Sequence, residues 1–265
     1  MKNLPMLIQP FGLDTISDST HSFINLSGMT VYEVIPQVKS KKSIRIIPGF
    51  SCEWIIGYDL SNSSSEFICI GACTSPTDIE INAYDRYIGV RFDESGSFFN
   101  FGLDEKTYPV NILNQVFSYK TESDSYEAVL VNEFKKTSSL KDKAKVLTLF
   151  LNKCKEFYPV SELIIGMNEK IKDSKGLTSV RELSEEFGYS ERHINRLYNE
   201  VYGFGPKDFA RYVRFQNILK AIISKPSMDN GSYIDGSGYA DLAHFQREFK
   251  SFTLTTPGRF IKSLK

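Results

Sequence analysis

GYSERHINRLYNEVYGFGPKDF (Gly188–Phe209) and GYADLAHFQREFKSFTLTTPGRF (Gly238–Phe260) are two versions of one pattern, and their reading decides the fold of the C-terminal half. Gly188-Tyr189 aligns with Gly238-Tyr239 at an offset of 50 residues. One residue is then added, and His193, Arg196, Pro206 and Phe209 align with His244, Arg247, Pro257 and Phe260 at an offset of 51. Similar residues fill the gaps: Ile194 with Phe245, Asn195 with Gln246, Tyr198 with Phe249. So many matches at nearly one offset mark a tandem repeat.

Each copy has the grammar of a helix-turn-helix. In the first, Ser179 is placed to cap a helix, with Glu182 three residues on to complete a capping box. Val180, Leu183 and Phe187 form its apolar face, and Gly188 supplies a turn residue free to adopt positive φ. Ser190 or Glu191 then opens a second helix whose Ile194, Leu197 and Tyr198 pack back on the first. Arg192, Asn195, Arg196 and Asn199 are left on the opposite face. Arg and Asn are the side chains that read guanine and adenine edges in the major groove. The second copy presents Ala243, Gln246, Arg247 and Lys250 at the corresponding places, over a core face of Phe245, Phe249 and Phe252. Any surface helix has a polar face, so one such stretch says little. Two tandem copies with Arg at the same helical position say much more. His193 and His244 lie beside the apolar seam, where a structural or phosphate-contacting role fits better than a catalytic one.

Outward from the repeat the grammar changes. To about residue 118 the chain reads as short strands bounded by turn residues: Met29–Ile35, Ser43–Ile47, Glu53–Tyr58, Glu66–Ala72, Thr77–Ile81 and Tyr87–Phe92. Pro48-Gly49 and the run Ser61–Ser65 are turns. Strands at this spacing predict a small barrel or sandwich. From Asp124 the pattern turns helical, with Tyr126, Val129, Leu130 and Phe134, then Val146, Leu149, Phe150, Lys153 and Phe157, at helical spacing before Pro159. The fold class expected is therefore α+β in two domains. It has a β-rich regulatory domain at 1–118, a helical connector at 119–159 whose apolar stripe suits a homodimer contact, and an all-α domain with two helix-turn-helix units at 160–265.

Composition sets the outer bounds. The 265 residues carry 32 basic and 32 acidic side chains, so the chain is not a wholly basic nucleic-acid binder. Residues 160–265 hold 16 Lys/Arg against 13 Asp/Glu, and the remainder 16 against 19, an asymmetry that permits DNA binding by the second half without requiring it. No run of eighteen apolar residues exists, the N-terminus lacks the pattern of a signal peptide, and four cysteines are too few for a disulfide scaffold. The expectation is a cytoplasmic protein with no membrane partner.

Residues 177–265 resemble the AraC/XylS family of bacterial transcription regulators. The residues that carry the resemblance are the Leu183…Gly188-Tyr189-Ser190…Arg196…Tyr198 run, the Gly203…Pro206…Phe209 turn, Arg214-Phe215, and GYADLAHFQREFK followed by Thr256-Pro257…Phe260. The resemblance implies two units joined by a rigid helix, here roughly Pro206–Ser224, with their recognition helices in successive major grooves about one helical turn apart. It also implies recruitment of RNA polymerase, and activation more often than repression. IRIIPGFSCEWIIGYD (Ile44–Asp59) and YIGVRFDESGSFFNFGL (Tyr87–Leu103) are more loosely similar to the effector-type domain of a subset of that family. There the second stretch commonly continues as Arg-Pro-Gly, whereas here Val90-Arg91-Phe92 runs into Asp93-Glu94-Ser95-Gly96. The second unit also departs from the family pattern: Gly231 and Gly236 interrupt its first helix, Ile234 stands at a usually small position, Leu242 is bulky, and Leu254 replaces a glycine. It is expected to be the less stable unit, or to contact DNA mainly through phosphates.

Catalytic constellations are missing from the sequence. It contains no Gly-rich phosphate loop, no G-x-S-x-G and only three histidines, two of them inside the repeat. Neither a cofactor nor a metal is expected. Cys52, Cys69 and Cys73 could form a thiolate site, but the apolar neighbours Phe67, Ile68 and Ile70 favour buried structural thiols. Trp54, with Phe50, Ile55, Ile56 and Tyr58, suits a β core better than a ligand box. With Trp54, the residues Tyr84, Arg86 and Arg91 are the candidates for holding an anionic or aromatic effector, against the alternative that they are strand residues with one solvated face. Phe98, Phe99 and Phe101 around Asn100 form an apolar knot open to several roles. The function expected is a sequence-specific regulator binding double-stranded promoter DNA. An assembly or adaptor protein with a degraded DNA-binding repeat is the alternative.

Overall fold

The computed structural model describes residues 9, 12, 19–26, 29–92, 98–99, 113–122, 125–153, 157–158, 160–226 and 230–264. Asp93–Gly96, Asn100, Phe101, Asp124, Cys154 and Pro159, on which several expectations rest, lie outside them.

The N-terminal half is built on a six-stranded antiparallel sheet. Its strands are β1 (Ser19–Leu26), β2 (Met29–Pro36), β4 (Cys52–Tyr58), β5 (Ser65–Ile70), β7 (Arg86–Phe92) and β9 (Val116–Lys120), in the order β1-β2-β7-β4-β5-β9. A two-stranded ribbon of β3 (Lys42–Ile46) and β6 (Thr77–Ile81) lies on one face, packing Ile44, Ile46 and Ile81 against Tyr32, Ile55, Ile68 and Ile70. On the other face, Val31, Trp54, Ile56, Tyr58, Ile88 and Val90 meet two helices, α1 (Tyr126–Lys136) and α2 (Leu140–Lys153). A short pair, β8 (Phe98–Phe99) with β10 (Phe157–Tyr158), completes the β structure described.

The barrel alternative is corrected by this topology. Among the described residues the sheet ends at β1 on one side and β9 on the other, so it does not close. Both faces are buried by covering layers, which removes apolar surface from water without joining the edges. The edge strands β1 and β9 are also the two that the sequence pattern does not single out. Their side chains alternate only between half-buried and exposed.

The connector helices bury a face that only partly overlaps the expected one, sharing Leu130 and Phe134 of α1. In α1 the buried residues are Leu130, Val131 and Phe134, while Tyr126 stands 83% exposed. In α2 they are Leu140, Lys143, Ala144, Leu147 and Leu151, while Leu149 is 63% exposed. On α2 the buried stripe Leu140, Ala144, Leu147 and Leu151 is itself apolar at helical spacing, and Lys143 joins it because its side-chain nitrogen pairs with the buried carboxylate of Glu33 on β2.

The C-terminal half is all helix: α3 (Glu162–Asp173), α4 (Val180–Phe187), α5 (Glu191–Tyr202), α6 (Pro206–Ser224), α7 (Asn230–Ile234), α8 (Leu242–Thr253) and α9 (Pro257–Ser263). α6 runs through its centre and buries Phe209, Val213, Phe215, Ile218, Leu219 and Ile222. The two halves touch. Phe50 stacks on Phe209 with centroids 4.5 Å apart, and Arg45 Nη1 donates to the Thr253 carbonyl at 3.2 Å. Arg45 also grips Asp78 through Nε at 2.6 Å and Nη2 at 2.8 Å, which holds that carboxyl below the usual range.

Candidate nucleic-acid interface

The repeat seen in the sequence is repeated in backbone geometry. Ser190 caps α5 by accepting from His193 N–H, and Asp241 caps α8 by accepting from His244 N–H. Gly203 and Leu254 end these helices in the left-handed region, at φ 76° and 57°. Pro206 and Pro257 then open the next helices, α6 and α9, at the first-turn position where a proline loses nothing. Tyr189 stacks on His193 at 5.0 Å, and Tyr239 meets His244 edge-on at 5.1 Å. Both histidines thus brace the start of a recognition helix.

Each unit is anchored by a buried polar group beneath its recognition helix. In the first, Asn168 of α3 is 1% exposed. It accepts from Tyr198 Oη at 2.8 Å and donates to Tyr202 Oη at 2.7 Å. In the second, Glu248 accepts from Arg211 Nε of α6 at 2.9 Å and from Tyr239 Oη at 2.5 Å. Burial, reinforced by the Glu248 charge, pushes the Tyr239 phenol up, so it stays protonated and donates. These anchors escaped the sequence reading, because an Asn and a Glu on amphipathic helices look like surface residues. Tyr198 and Tyr239 on apolar faces were the available signal, since a buried phenol needs a partner.

The outer faces are as follows. Arg192, Arg196 and Asn199 are exposed on α5, and Asn195 is half-buried. Asn195 donates to the Glu191 carbonyl and Asn199 to the Asn195 carbonyl, each at 2.8 Å. Arg196 spans Glu200, at 2.6 Å, and His193 Nδ1, at 3.2 Å. The side chains of Arg196 and Glu200 are 57% and 54% exposed. An exposed pair of this kind is worth only about 0.3–0.5 kcal/mol, so it holds the guanidinium loosely. Ala243, Gln246, Arg247 and Lys250 are all exposed on α8. The expected DNA-facing residues therefore gather on the two recognition helices.

The expected effector residues do not converge. Trp54 is buried on the helix-covered face, edge-on to Phe92 at 5.3 Å. Arg86 is half-buried near Glu33 on that same face, at 3.9 Å. Tyr84 belongs to the ribbon-covered face. So does Arg91, which is buried with its Nη2 2.7 Å from Glu53 and its guanidinium 5.4 Å from the Tyr32 ring centre. A different recess exists between β1 and α2. It is an apolar groove of about 580 Å³ lined by Ile24, Leu26, Ala144, Thr148 and Leu149, with Lys141 and Lys145 alongside. Cys52, Cys69 and Cys73 are buried free thiols. Burial pushes Cys52 to about 12 and Cys73 to about 11, which keeps both protonated. No helix of the described residues is long and apolar enough to cross a membrane.

Comparison with known proteins bears on both halves. Residues 183–263 match a family described as helix-turn-helix domain. Two solved structures of ToxT from Vibrio cholerae share the overall fold. One, an apo point variant from strain SCE256, has a TM-score of 0.51 at 9% identity, over 91% of this chain and 99% of that one. The other, from strain O395, has a TM-score of 0.50 at 12% identity, over 89% and 97%. A probable AraC family transcriptional regulator from Rhodopseudomonas palustris CGA009 is 20% identical over 40% of this chain and 99% of that one, with a TM-score of 0.36. No curated protein matches the chain.

Proposed function

We propose that this chain, whose residues 183–263 are a helix-turn-helix domain of the AraC/XylS type, is a sequence-specific transcription regulator that engages promoter DNA with α5 and α8 together. One observation carries the proposal. Two helices of equal length, capped in the same way at an offset of 51 residues, each expose basic and amide side chains, and one 19-residue helix joins their units.

Lysines and arginines of the helical half displace counterions from phosphates. Arg192, Asn195, Arg196 and Asn199 face the bases of one subsite. Ala243, Gln246, Arg247 and Lys250 serve the other, with Lys250 in the last turn of α8 where backbone contact is favoured. The N-terminal half takes the regulatory role. The groove between β1 and α2 suits a small ligand with an apolar body and a negative charge. Tyr126, Val129 and Leu149, left exposed on α1 and α2, are the surface for a homodimer. Activation through RNA polymerase is the mode carried over from the family resemblance.

The test uses a duplex selected by the full-length protein from a random-sequence pool, and a scrambled duplex of equal length. Arg196→Ala should cost about 1–3 kcal/mol on the selected duplex and relax preference at one or two base pairs. Lys250→Ala should weaken both duplexes alike and lower the salt slope by about one counterion. Equal losses on both duplexes for Arg196→Ala, with a matching fall in melting temperature, would show Arg196 to be structural. Failure of the pool to yield any duplex would favour an assembly protein with a degraded repeat.

A further inference from the structure

We propose that Arg214, in the middle of α6, holds the second helix-turn-helix unit at the rotation, relative to the first, in which both meet DNA. This rests on the DNA-binding reading and adds a positioning residue that does not itself touch DNA.

The turn that leads into the second unit ends on this one side chain. Arg214 Nη1 donates to the Gly238 carbonyl at 3.2 Å, and its guanidinium lies 5.3 Å from the centre of the Tyr239 ring. Tyr239 packs edge-on against Phe245 of α8 at 5.5 Å and donates to Glu248, so Arg214 is tied to the start of the second recognition helix. The turn before α4 lies against the backbone of the same stretch of α6: a Cβ added at Gly176 would come 2.3 Å from the Ala210 carbonyl oxygen and 2.9 Å from the Arg214 backbone nitrogen. A Cβ added at Gly238 would overlap Leu177 Cδ2 and lie 3.2 Å from Arg214 Nη1. Both glycines have positive φ, so each turn is shaped to approach Arg214 and the other turn closely.

The helix α6 fixes how far apart the units lie, because a 19-residue helix is a rod of about 28 Å. Phe215 against Phe249 and Phe252, with Arg211 on Glu248, docks α8 on that rod, but none of these contacts holds the turn that starts the unit. α7 is too short to do so, with five residues and a glycine within it. Arg214 supplies that hold, laying a planar cation on the Tyr239 ring and donating to the Gly238 carbonyl. Beside it lies a polar cavity of about 200 Å³ bounded by Lys175, Asn217, Tyr233 and Asp235. Shortening Arg214 opens more space next to that cavity and leaves the second unit free to rock.

The test compares full-length wild type, Arg214→Ala and Arg214→Lys on three duplexes. The first is the selected duplex, the second has one base pair inserted between its subsites, and the third has the α8 subsite scrambled. One inserted base pair turns one subsite by about 34° relative to the other, and wild type should lose about tenfold in affinity. Arg214→Ala should bind the scrambled-subsite duplex within about twofold of wild type while its insertion penalty falls to about threefold or less. Arg214→Lys keeps the charge and loses the planar stack, so it should behave like the alanine variant with an unchanged salt slope. A wild-type insertion penalty in either variant would overturn the proposal. So would a parallel loss on all three duplexes. If Arg214→Ala fails to fold, Arg214→Lys carries the same comparison. Absence of any selected duplex would instead remove the DNA-binding reading itself.

Discussion

The two helix-turn-helix units share a sequence pattern and reach their shape by different means. The first adds strong local caps to its Asn168 anchor. Ser179 accepts from Glu182 N–H while Glu182 accepts from Ser179 N–H, and Gly188 closes α4 at φ 74°. The second begins with a five-residue α7, and a non-glycine residue closes its recognition helix in the left-handed region. It is held instead by the linker helix. Phe215 of α6 meets Phe249 and Phe252 at 5.5 Å and 5.0 Å, and Arg211 and Arg214 reach out from α6 to Glu248 and Gly238. A repeat can thus keep its outer face while moving the source of its stability from capping to long-range packing.

That contrast can be broken most decisively at the buried polar anchors. Glu248→Ala should cost about 2–4 kcal/mol, because it takes the partner of the buried Tyr239 phenol and leaves Arg211, one-third exposed, with Asp208 alone. Asn168→Ala, which removes the buried amide that bridges two tyrosine hydroxyls in the first, should cost about 1–3 kcal/mol. Urea denaturation of the full chain measures both. Equal costs would mean that the second unit is no more dependent on long-range contacts than the first.

A smaller effect sharpens the local side of the comparison. Ser179→Ala should cost about 1 kcal/mol and raise amide exchange in α4, since it removes half of a reciprocal cap. Unchanged exchange in α4, with the loss appearing in α8, would contradict a locally capped first unit.

The smallest expected effect has the opposite sign. Leu254 holds φ 57° at the end of α8 while its side chain is 56% exposed. Relieving that backbone strain with Leu254→Gly outweighs the entropy that glycine loses, so the variant should be more stable by about 0.5–1 kcal/mol. A stable second unit that gains nothing from glycine would show that Leu254 packs in a way its exposure conceals.

What was legible in the sequence follows the same division. Caps, turn glycines and the apolar faces of α4, α5 and α8 depend on neighbours three or four residues away, so Ser179, Gly188, Phe245 and Phe249 could be placed without coordinates. The six central strands could be found to within two residues because they are β-branched and aromatic. On α2 two apolar stripes compete, and that of Leu140, Ala144, Leu147 and Leu151 is the one buried; the burial of Lys143 by Glu33, 110 residues away, had no local signal. The effector candidates failed to converge for a reason that was in fact readable. Arg86 and Arg91 are separated by an odd number of residues on one strand, and such residues point to opposite faces. The exposure of Arg192, Arg196 and Asn199 on α5, and of Ala243, Gln246, Arg247 and Lys250 on α8, could be read because exposure on a helix is a matter of period. Arg211 and Arg214 were hidden because α6 is buried around much of its circumference, so period gave their direction no meaning.

Ala240 is the residue added between the two copies, and it stands in the turn just before the cap at Asp241. An insertion inside α8 would have turned every later side chain by about 100° and swung Arg247 toward the core. In the turn it alters only the path of the chain, and the cap restarts the count. Duplicated reading heads can therefore drift in length at this hinge while the alphabet on each helix keeps its phase, which leaves the two copies free to acquire different preferences one substitution at a time.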